Sequence, residues 1–409
     1  EEAEELLAAG VCCEVVPGVS SAVAAPAYAG IPLTHRAYAS SVTLITGHED
    51  PGKKESAHNW EALARSGSTL VFFMGVKNLG MITDNLITAG LPAEMPAALV
   101  RWGTTCEQES LSGPLSGIAA LAREQNLKPP ALLVVGRVVS LREKLNWFER
   151  LPLLGKGVVV TRAREQASGL IRRLQDHGAC CYEFPTIAIS PMSDYSRLHA
   201  AFDRLSRYDW LVFTSVNGVK SFWRELRACG LDSRRLGGCA VAAIGPATAE
   251  QLRNNGIEPD YVPKKYVAEE IVQGLLERGI NGARVLIPRA EKAREILPAA
   301  LGEAGAEVEV LPVYRTRPAE QSGAGILENI TAGKIQFITF TSSSTVSNFF
   351  QLLSAETLRP FVPDPVRLAC IGPITARTLE GYGFQADLQP EEYTVPALAE
   401  CLVRAAASR

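Results

Sequence analysis

Short apolar runs of four to six residues alternate with stretches of helical period along nearly the whole chain. That alternation is the signature of an α/β fold, in which buried strands are followed by amphipathic helices. At the front, "EEAEELLAAG" reads as an amphipathic helix stopped by glycine, and the following "VCCEVVPG" reads as a strand. So abrupt an entry, without an initiator methionine, predicts a chain that begins inside a domain whose first half lies upstream. The alternation breaks over residues 141–157, "LREKLNWFERLPLLGKG", which is charged, aromatic and closed by proline and glycine. A domain linker is predicted there.

Beyond that break the pattern repeats. Arg162 in "VVVTRA" corresponds to Arg289 in "VLIPRA", Pro185 to Pro312, Phe213 in "FTSVNGV" to Phe340 in "FTSSSTV", and Gly245 to Gly372, each pair 127 residues apart. Four unrelated local patterns in one register predict a duplicated α/β unit, hence two similar lobes.

The repeated motifs fall at the carboxyl ends of predicted strands, where open α/β sheets bind ligands. In "AAIGPATAEQL" and "ACIGPITARTL" a strand ends at glycine, proline takes the first helical position where its missing N–H costs nothing, and Thr248 or Thr375 lies in the first turn. Such a helix start, with free N–H groups and hydroxyls nearby, suits a carboxylate or phosphate. Helix capping alone is the plain alternative for any single occurrence. No G-x-x-x-x-G-K-[ST] loop and no G-x-G-x-x-G after a strand is present, which turns the reading from a nucleotide toward a polycarboxylate.

Composition sets the class of partner. The 409 residues exceed one ordinary core and predict two or more domains. A net charge of −3 with 21% charged residues leaves no basic excess for nucleic acid or an anionic membrane. No apolar run reaches a membrane span and no secretory signal is present, so a cytoplasmic protein is expected. The nine cysteines show no zinc spacing and are expected to be reduced and mostly buried, the adjacent pairs Cys12–Cys13 and Cys180–Cys181 pointing to opposite faces of strands. His35, His48, His58, His177 and His199 lack metal-ligand spacing, so no metal is expected.

In order, "FTSVNGV", "AAIGPATAEQL", "VLIPRAEKAREILPAAL", "VLPVYRTRP", "FTSSSTV" and "ACIGPITARTLEGYG" resemble uroporphyrinogen-III synthase over roughly residues 155–405. The resemblance implies two α/β lobes joined by a two-stranded connection, residues 155–185 with 315–409 forming one and 190–310 the other. It implies closure of hydroxymethylbilane with inversion of ring D, without metal or cofactor. It places Thr214, Ser215, Asn217, Thr248, Ser342, Ser343 and Thr375 at the substrate, and Tyr314 as the group that helps the hydroxyl leave; a tyrosine merely packed on the connecting strand is the alternative. Arg162, Arg289 and Arg294 are weaker candidates, since an arginine after a strand is commonly a solvated rim residue.

Residues 1–148 resemble uroporphyrinogen-III C-methyltransferase through "EVVPGVSSAVAAPAYAGIPLTHR", "TLVFFMGVKNL", "ALVRWGTT" and "LREKLNWF", with 149–154 as linker and 155–409 as the synthase. That likeness implies S-adenosylmethionine bound by Ser20, Ser21, Met74 and Gly103, with Glu1 and Arg36 on the substrate side. Ser20–Ser21 departs mildly from the family's Thr-Ala or Thr-Ser. The upstream G-x-G-P-G-D loop and G-G-D-P segment do not occur in this sequence, so the cofactor site is expected to be incomplete and this chain inactive in methyl transfer. A homodimer is implied through the methyltransferase half when complete. Two competing classes are a non-catalytic two-lobed receptor for an anionic metabolite and a nucleotide-sugar transferase, the latter lacking a D-x-D.

Overall fold

A computed structural model describes residues 2–48, 58–162, 164–263, 268–293, 295–318 and 323–407. Three sheets organise the chain. The first, in spatial order, contains Val42–Thr46, Thr69–Phe73, Ala131–Val135, Pro96–Arg101 and Glu109–Pro114. Its first two strands are parallel and the remaining pairings antiparallel. The second orders Ala240–Ala243, Trp210–Phe213, Arg284–Ala290, Glu307–Pro318 and Ile187–Ser190, and the third Arg367–Cys370, Phe337–Phe340, Gly157–Val160 and Cys180–Glu183. The third sheet is wholly parallel, with helices on both faces. This explains why its inner strand Gly157–Val160 reads as an unbroken apolar run: Val158, Val159 and Val160 are all fully buried.

The long strand Glu307–Pro318 joins the halves. Its first part pairs in parallel with Arg284–Ala290, and its end pairs antiparallel with Ile187–Ser190, from Arg315 opposite Ser190 to Pro318 opposite Ile187.

The duplication is repeated in three dimensions down to single contacts. Phe213 meets Phe222 edge-on at 5.5 Å, and Phe340 meets Phe349 edge-on at 5.4 Å. Gly245 and Gly372 are both extended, at φ −173° and −174°, and each is followed by proline opening a helix. An unanticipated pair obeys the same spacing. Asp260 accepts the Val241 N–H at 2.7 Å, and Asp387 accepts the Leu368 N–H at 2.7 Å. Both amides belong to edge strands, whose outer N–H groups would otherwise lack a ladder partner. Asp260→Ala or Asp387→Ala is therefore expected to lower the unfolding free energy by about 1–3 kcal/mol, the usual cost of orphaning such a donor, as read by denaturant unfolding.

Three expectations are corrected. "VCCEVVPG" forms no strand: residues 11–20 are exposed and have no ladder partner among the described residues. A strand needs a neighbour to satisfy its backbone, and periodicity cannot report whether one is present. The cysteines are not uniformly reduced and buried. Cys106 and Cys180 form a disulfide, and Cys12, Cys13 and Cys229 are exposed. Burial, reinforced by nearby aspartates, pushes the Cys239 and Cys370 thiols up to about 12. Iodoacetamide near about pH 8 is thus expected to modify Cys12, Cys13 and Cys229 while sparing Cys239 and Cys370, as read by peptide mapping, because only the thiolate reacts.

The segment expected to link the domains is ordered. Phe148 and Leu153 are buried, and Arg142 and Glu149 pair with each other. Gln108 and Ser110 of the first domain both donate to Glu149. Lastly, Arg289 is no solvated rim residue: it is 7% exposed and pairs with Glu295. Arg162 is half-buried, and burial lowers its pKa. Glu1 and Arg294 lie outside the described residues.

Candidate functional sites

The first site is assembled at one edge of the first sheet. Thr69–Phe73 and Pro96–Arg101 run parallel to each other across the antiparallel Ala131–Val135, so the carboxyl ends of the first two and the start of the third share that edge. A cavity of about 420 Å³ opens there, lined by Ser21, Ala25, Met74, Trp102, Gly103 and Pro130 among others. Its neighbour, about 260 Å³, shares Met74 and Pro130 and adds His48 and Lys77.

Three of the cavity's residues hold a backbone conformation that side chains rarely adopt: Met74 at φ 54°, Trp102 at 45° and Thr104 at 72°. Among the described residues only Asn126 joins them outside glycine. Such conformations cost roughly 1–3 kcal/mol each and cluster where a site needs a backbone group aimed at a ligand. Gly103 completes the turn for a steric reason. A Cβ there would stand 2.2 Å from the Cβ of Ala25, so only glycine lets the turn close on the helix Ser21–Tyr28.

Of the residues expected at the cofactor, Ser21, Met74 and Gly103 are brought together in this cavity. Ser20 instead caps the adjoining helix, its hydroxyl accepting the Ala22 N–H at 3.2 Å. Arg36 lies in the exposed turn His35–Ala39 and is not among the residues that line the cavity. Trp102, Thr104 and Pro130 were not singled out from sequence. The first two lie in the quoted "ALVRWGTT", but no residue type there signals a left-handed backbone.

The second site belongs to the lobes. Ser215 and Ser342 cap equivalent helices, accepting the N–H of Gly218 at 3.0 Å and of Thr345 at 3.3 Å. Ser342 adds a return bond from its own N–H to the Thr345 hydroxyl, a capping box. Thr248 and Thr375 occupy the first turns of the paired helices and are both 4% exposed. Asn217 is buried, Thr214 and Ser343 are half-buried, and Ser343 donates to the Ile374 carbonyl at 3.4 Å, tying together the two junctions of one lobe.

Tyr314 reaches the other lobe's junction. Its hydroxyl pairs with that of Ser215 at 3.1 Å, and the ring is 8% exposed within the lobe's core. Burial raises its pKa, and the Ser215 hydrogen bond offsets part of that rise. The phenol is consequently held neutral across physiological pH. Tyr393 was overlooked: it is exposed, and its ring lies against Gly372, where a Cβ would come within 3.0 Å. The signal was available, since Tyr266 stands 127 residues earlier, though it lies outside the described residues.

Among the described residues no helix is long and apolar enough to cross a membrane, and no group of three or more His, Cys, Asp or Glu side chains could hold a metal ion.

The chain is a mixed α/β domain with a cavity at its strand ends, followed by a duplicated two-lobed α/β unit, and its likeness to known families makes it an enzyme of tetrapyrrole chemistry. The family described as uroporphyrinogen-III synthase HemD matches residues 168–400, and that of tetrapyrrole (corrin/porphyrin) methylases matches residues 1–119. The chain is 33% identical over 98% of its length to the porphyrin biosynthesis protein HemD of Ruminiclostridium josui, of which it spans 79%. It is 51% identical to the S-adenosyl-L-methionine-dependent uroporphyrinogen III methyltransferase of Methanosarcina barkeri, over 36% of this chain and 57% of that one. A mutant uroporphyrinogen III synthase from Thermus thermophilus superposes with a TM-score of 0.45 at 19% identity, covering 62% of this chain and 100% of that one. The chain belongs to the uroporphyrinogen-III synthase family, with a tetrapyrrole methylase domain ahead of the synthase.

Proposed function

We propose that residues 155–409 close hydroxymethylbilane to uroporphyrinogen III, the bilane's carboxylates being held at the repeated strand-to-helix junctions. The observation that carries this reading is the matched pair of helix starts in each lobe, one capped by serine and one opened by glycine and proline, at Ser215 with Gly245 and at Ser342 with Gly372. Each presents unsatisfied first-turn N–H groups and the positive end of a helix dipole, which favour an anion. In the seryl-capped helices the hydroxyl already engages one N–H, so a carboxylate takes the others.

In this reading Tyr314 hydrogen-bonds to the departing hydroxyl, which leaves as water and generates an azafulvene. The substituted carbon of ring D then attacks, forming the spiro intermediate whose reopening inverts that ring. Most of the acceleration comes from folding the chain so that this carbon, rather than the free one, faces the azafulvene. The test is incubation with hydroxymethylbilane and separation of isomers. Type III product is expected; type I alone, the spontaneous isomer, would reduce the lobes to a receptor.

For the first domain we propose that the 420 Å³ cavity takes S-adenosylmethionine. Its size is in the range that encloses a nucleoside-sized ligand, and its lining is mainly apolar, with Met74, Trp102 and Thr104 in left-handed backbone conformation. The cofactor would supply an electrophilic methyl group on a sulfonium. Ser21, Met74 and Gly103 would bind and orient it, and Gly103 would allow its close approach to the backbone. Titration calorimetry with S-adenosylhomocysteine tests the assignment; absence of heat would remove it.

A further inference from the structure

The two domains are joined by more than the chain. Cys106 follows the turn that carries Trp102, Gly103 and Thr104, and Cys180 opens the edge strand of the third sheet, 74 residues on. Their Cα atoms are 5.3 Å apart, within the span a disulfide requires, and the bond is made. Backbone bonds support the same boundary. The Gly155 N–H donates to the Cys106 carbonyl at 3.0 Å, the Leu153 N–H donates to the His177 carbonyl at 3.0 Å, and the Glu107 charge helps raise the Tyr182 pKa, after burial.

The pair is also reachable. A cavity of about 510 Å³ lies between the domains, lined by Tyr28, Thr105, Cys106, Glu107, Cys180 and Tyr182 among others. It presents both polar and apolar groups and is large enough to admit a small thiol. Cys181 lines it as well, but burial first, then Glu183, pushes its thiol up to about 12, and its sulfur is directed to the Ile171 carbonyl at 3.8 Å. Of the three cysteines at this boundary, two are arranged to bond and one is arranged to stay inert.

We infer that Cys106 and Cys180 form a reversible thiol–disulfide site that fastens the cavity-bearing turn of the methylase domain to the sheet edge of the synthase domain. One cysteine thiolate attacks a low-molecular-weight disulfide, forming a mixed disulfide and expelling one small thiol. The second cysteine then attacks the protein-bound sulfur and expels the other small thiol. Two cysteine thiols are oxidised, the small disulfide is reduced to two thiols, and both steps reverse when the small thiol is in excess. In a thiol-reducing compartment a bond of this kind is transient and reports the redox poise rather than serving as a permanent staple. Its oxidised form fixes the chain at Cys106, directly after this turn, while Gln108 already secures the turn inside its own domain, accepting the Thr104 N–H at 2.8 Å.

The full chain is equilibrated in glutathione buffers from reducing to oxidising, quenched by alkylation, and mapped by peptide mass; hydrogen exchange is read in the same buffers. A Cys106–Cys180 linked peptide is expected in the oxidised samples, disappearing in excess reduced glutathione, with Cys181 a thiol throughout. Amide exchange over residues 102–108 is expected to be at least about threefold slower in the oxidised state. Cys106→Ser and Cys180→Ser should exchange at the fast rate in both buffers, and Cys181→Ser should behave as the parent chain. Failure of the linked peptide to form at any poise overturns the site, and identical exchange in the two states overturns the fastening. Both measurements on the parent chain stand even if a serine variant does not fold.

Discussion

Tyr314→Phe is expected to lower kcat for ring closure by about a hundredfold, the lower end of what a positioned proton donor contributes, with KM changed by less than about twofold. The substitution removes one oxygen and nothing else, so the buried ring keeps its place in the lobe core. What it loses is the hydroxyl 3.1 Å from Ser215, the group proposed to meet the departing oxygen. A tyrosine serving only to pack would lose almost no activity as phenylalanine, so the assay with hydroxymethylbilane separates the two roles. The pH profile gives a second reading. Because burial raises the Tyr314 pKa, its ionisation cannot produce an alkaline limb within the ordinary tyrosine range; the limb moves above it. The sign for stability agrees: a neutral form favoured by folding stabilises below the unfolded-state pKa, and that contribution is lost as pH rises through the folded-state value. Ser215→Ala, which removes the group opposing the rise, shifts the limb further up and also costs about 1 kcal/mol of helix cap.

Gly103→Ala is expected to weaken S-adenosylhomocysteine binding by at least about a hundredfold, or about 2.7 kcal/mol. The added methyl group would stand 2.2 Å from the Ala25 Cβ and 2.8 Å from its Cα, separations that no rotamer change relieves because neither atom is at the end of a flexible side chain. Either the turn or the helix Ser21–Tyr28 must move by more than an ordinary packing adjustment, and both line the cavity. Overpacking of this kind costs about 1–3 kcal/mol in stability, which here is concentrated on the ligand site. Calorimetry reads the affinity, and far-UV circular dichroism verifies that the sheet persists. Ala25→Gly in the same chain removes the closer clash and is expected to recover part of the loss. Unchanged affinity in Gly103→Ala would show that the ligand does not depend on this turn.

How much was legible beforehand differs between the sites. In the lobes the junction residues could be read because two copies were written in one chain. A common spacing singles out Ser215, Thr248 and Thr375 among many hydroxyls, and it would have singled out Asp260, Asp387 and Tyr393 had it been followed through. In the first domain Ser21, Met74 and Gly103 were named through family likeness, but their convergence rests on the parallel course of Thr69–Phe73 and Pro96–Arg101 across an intervening antiparallel strand. Nothing in the local alphabet of Met74, Trp102 and Thr104 announces a left-handed backbone, since that conformation is imposed by surrounding packing rather than chosen by the residue.

By itself the sequence determined the α/β class, the duplicated lobes and the residues that open their helices, because strand and helix periods, proline at a first helical position and a repeated register are local or self-referring signals. Only the tertiary structure decided that Cys106 meets Cys180, that the segment around Arg142 and Glu149 docks on the first domain, that Arg289 is buried, and that "VCCEVVPG" finds no ladder partner among the described residues. Each of these depends on which distant backbone lies alongside, and a pattern of apolar and polar positions records how a residue prefers to be surrounded without recording by what.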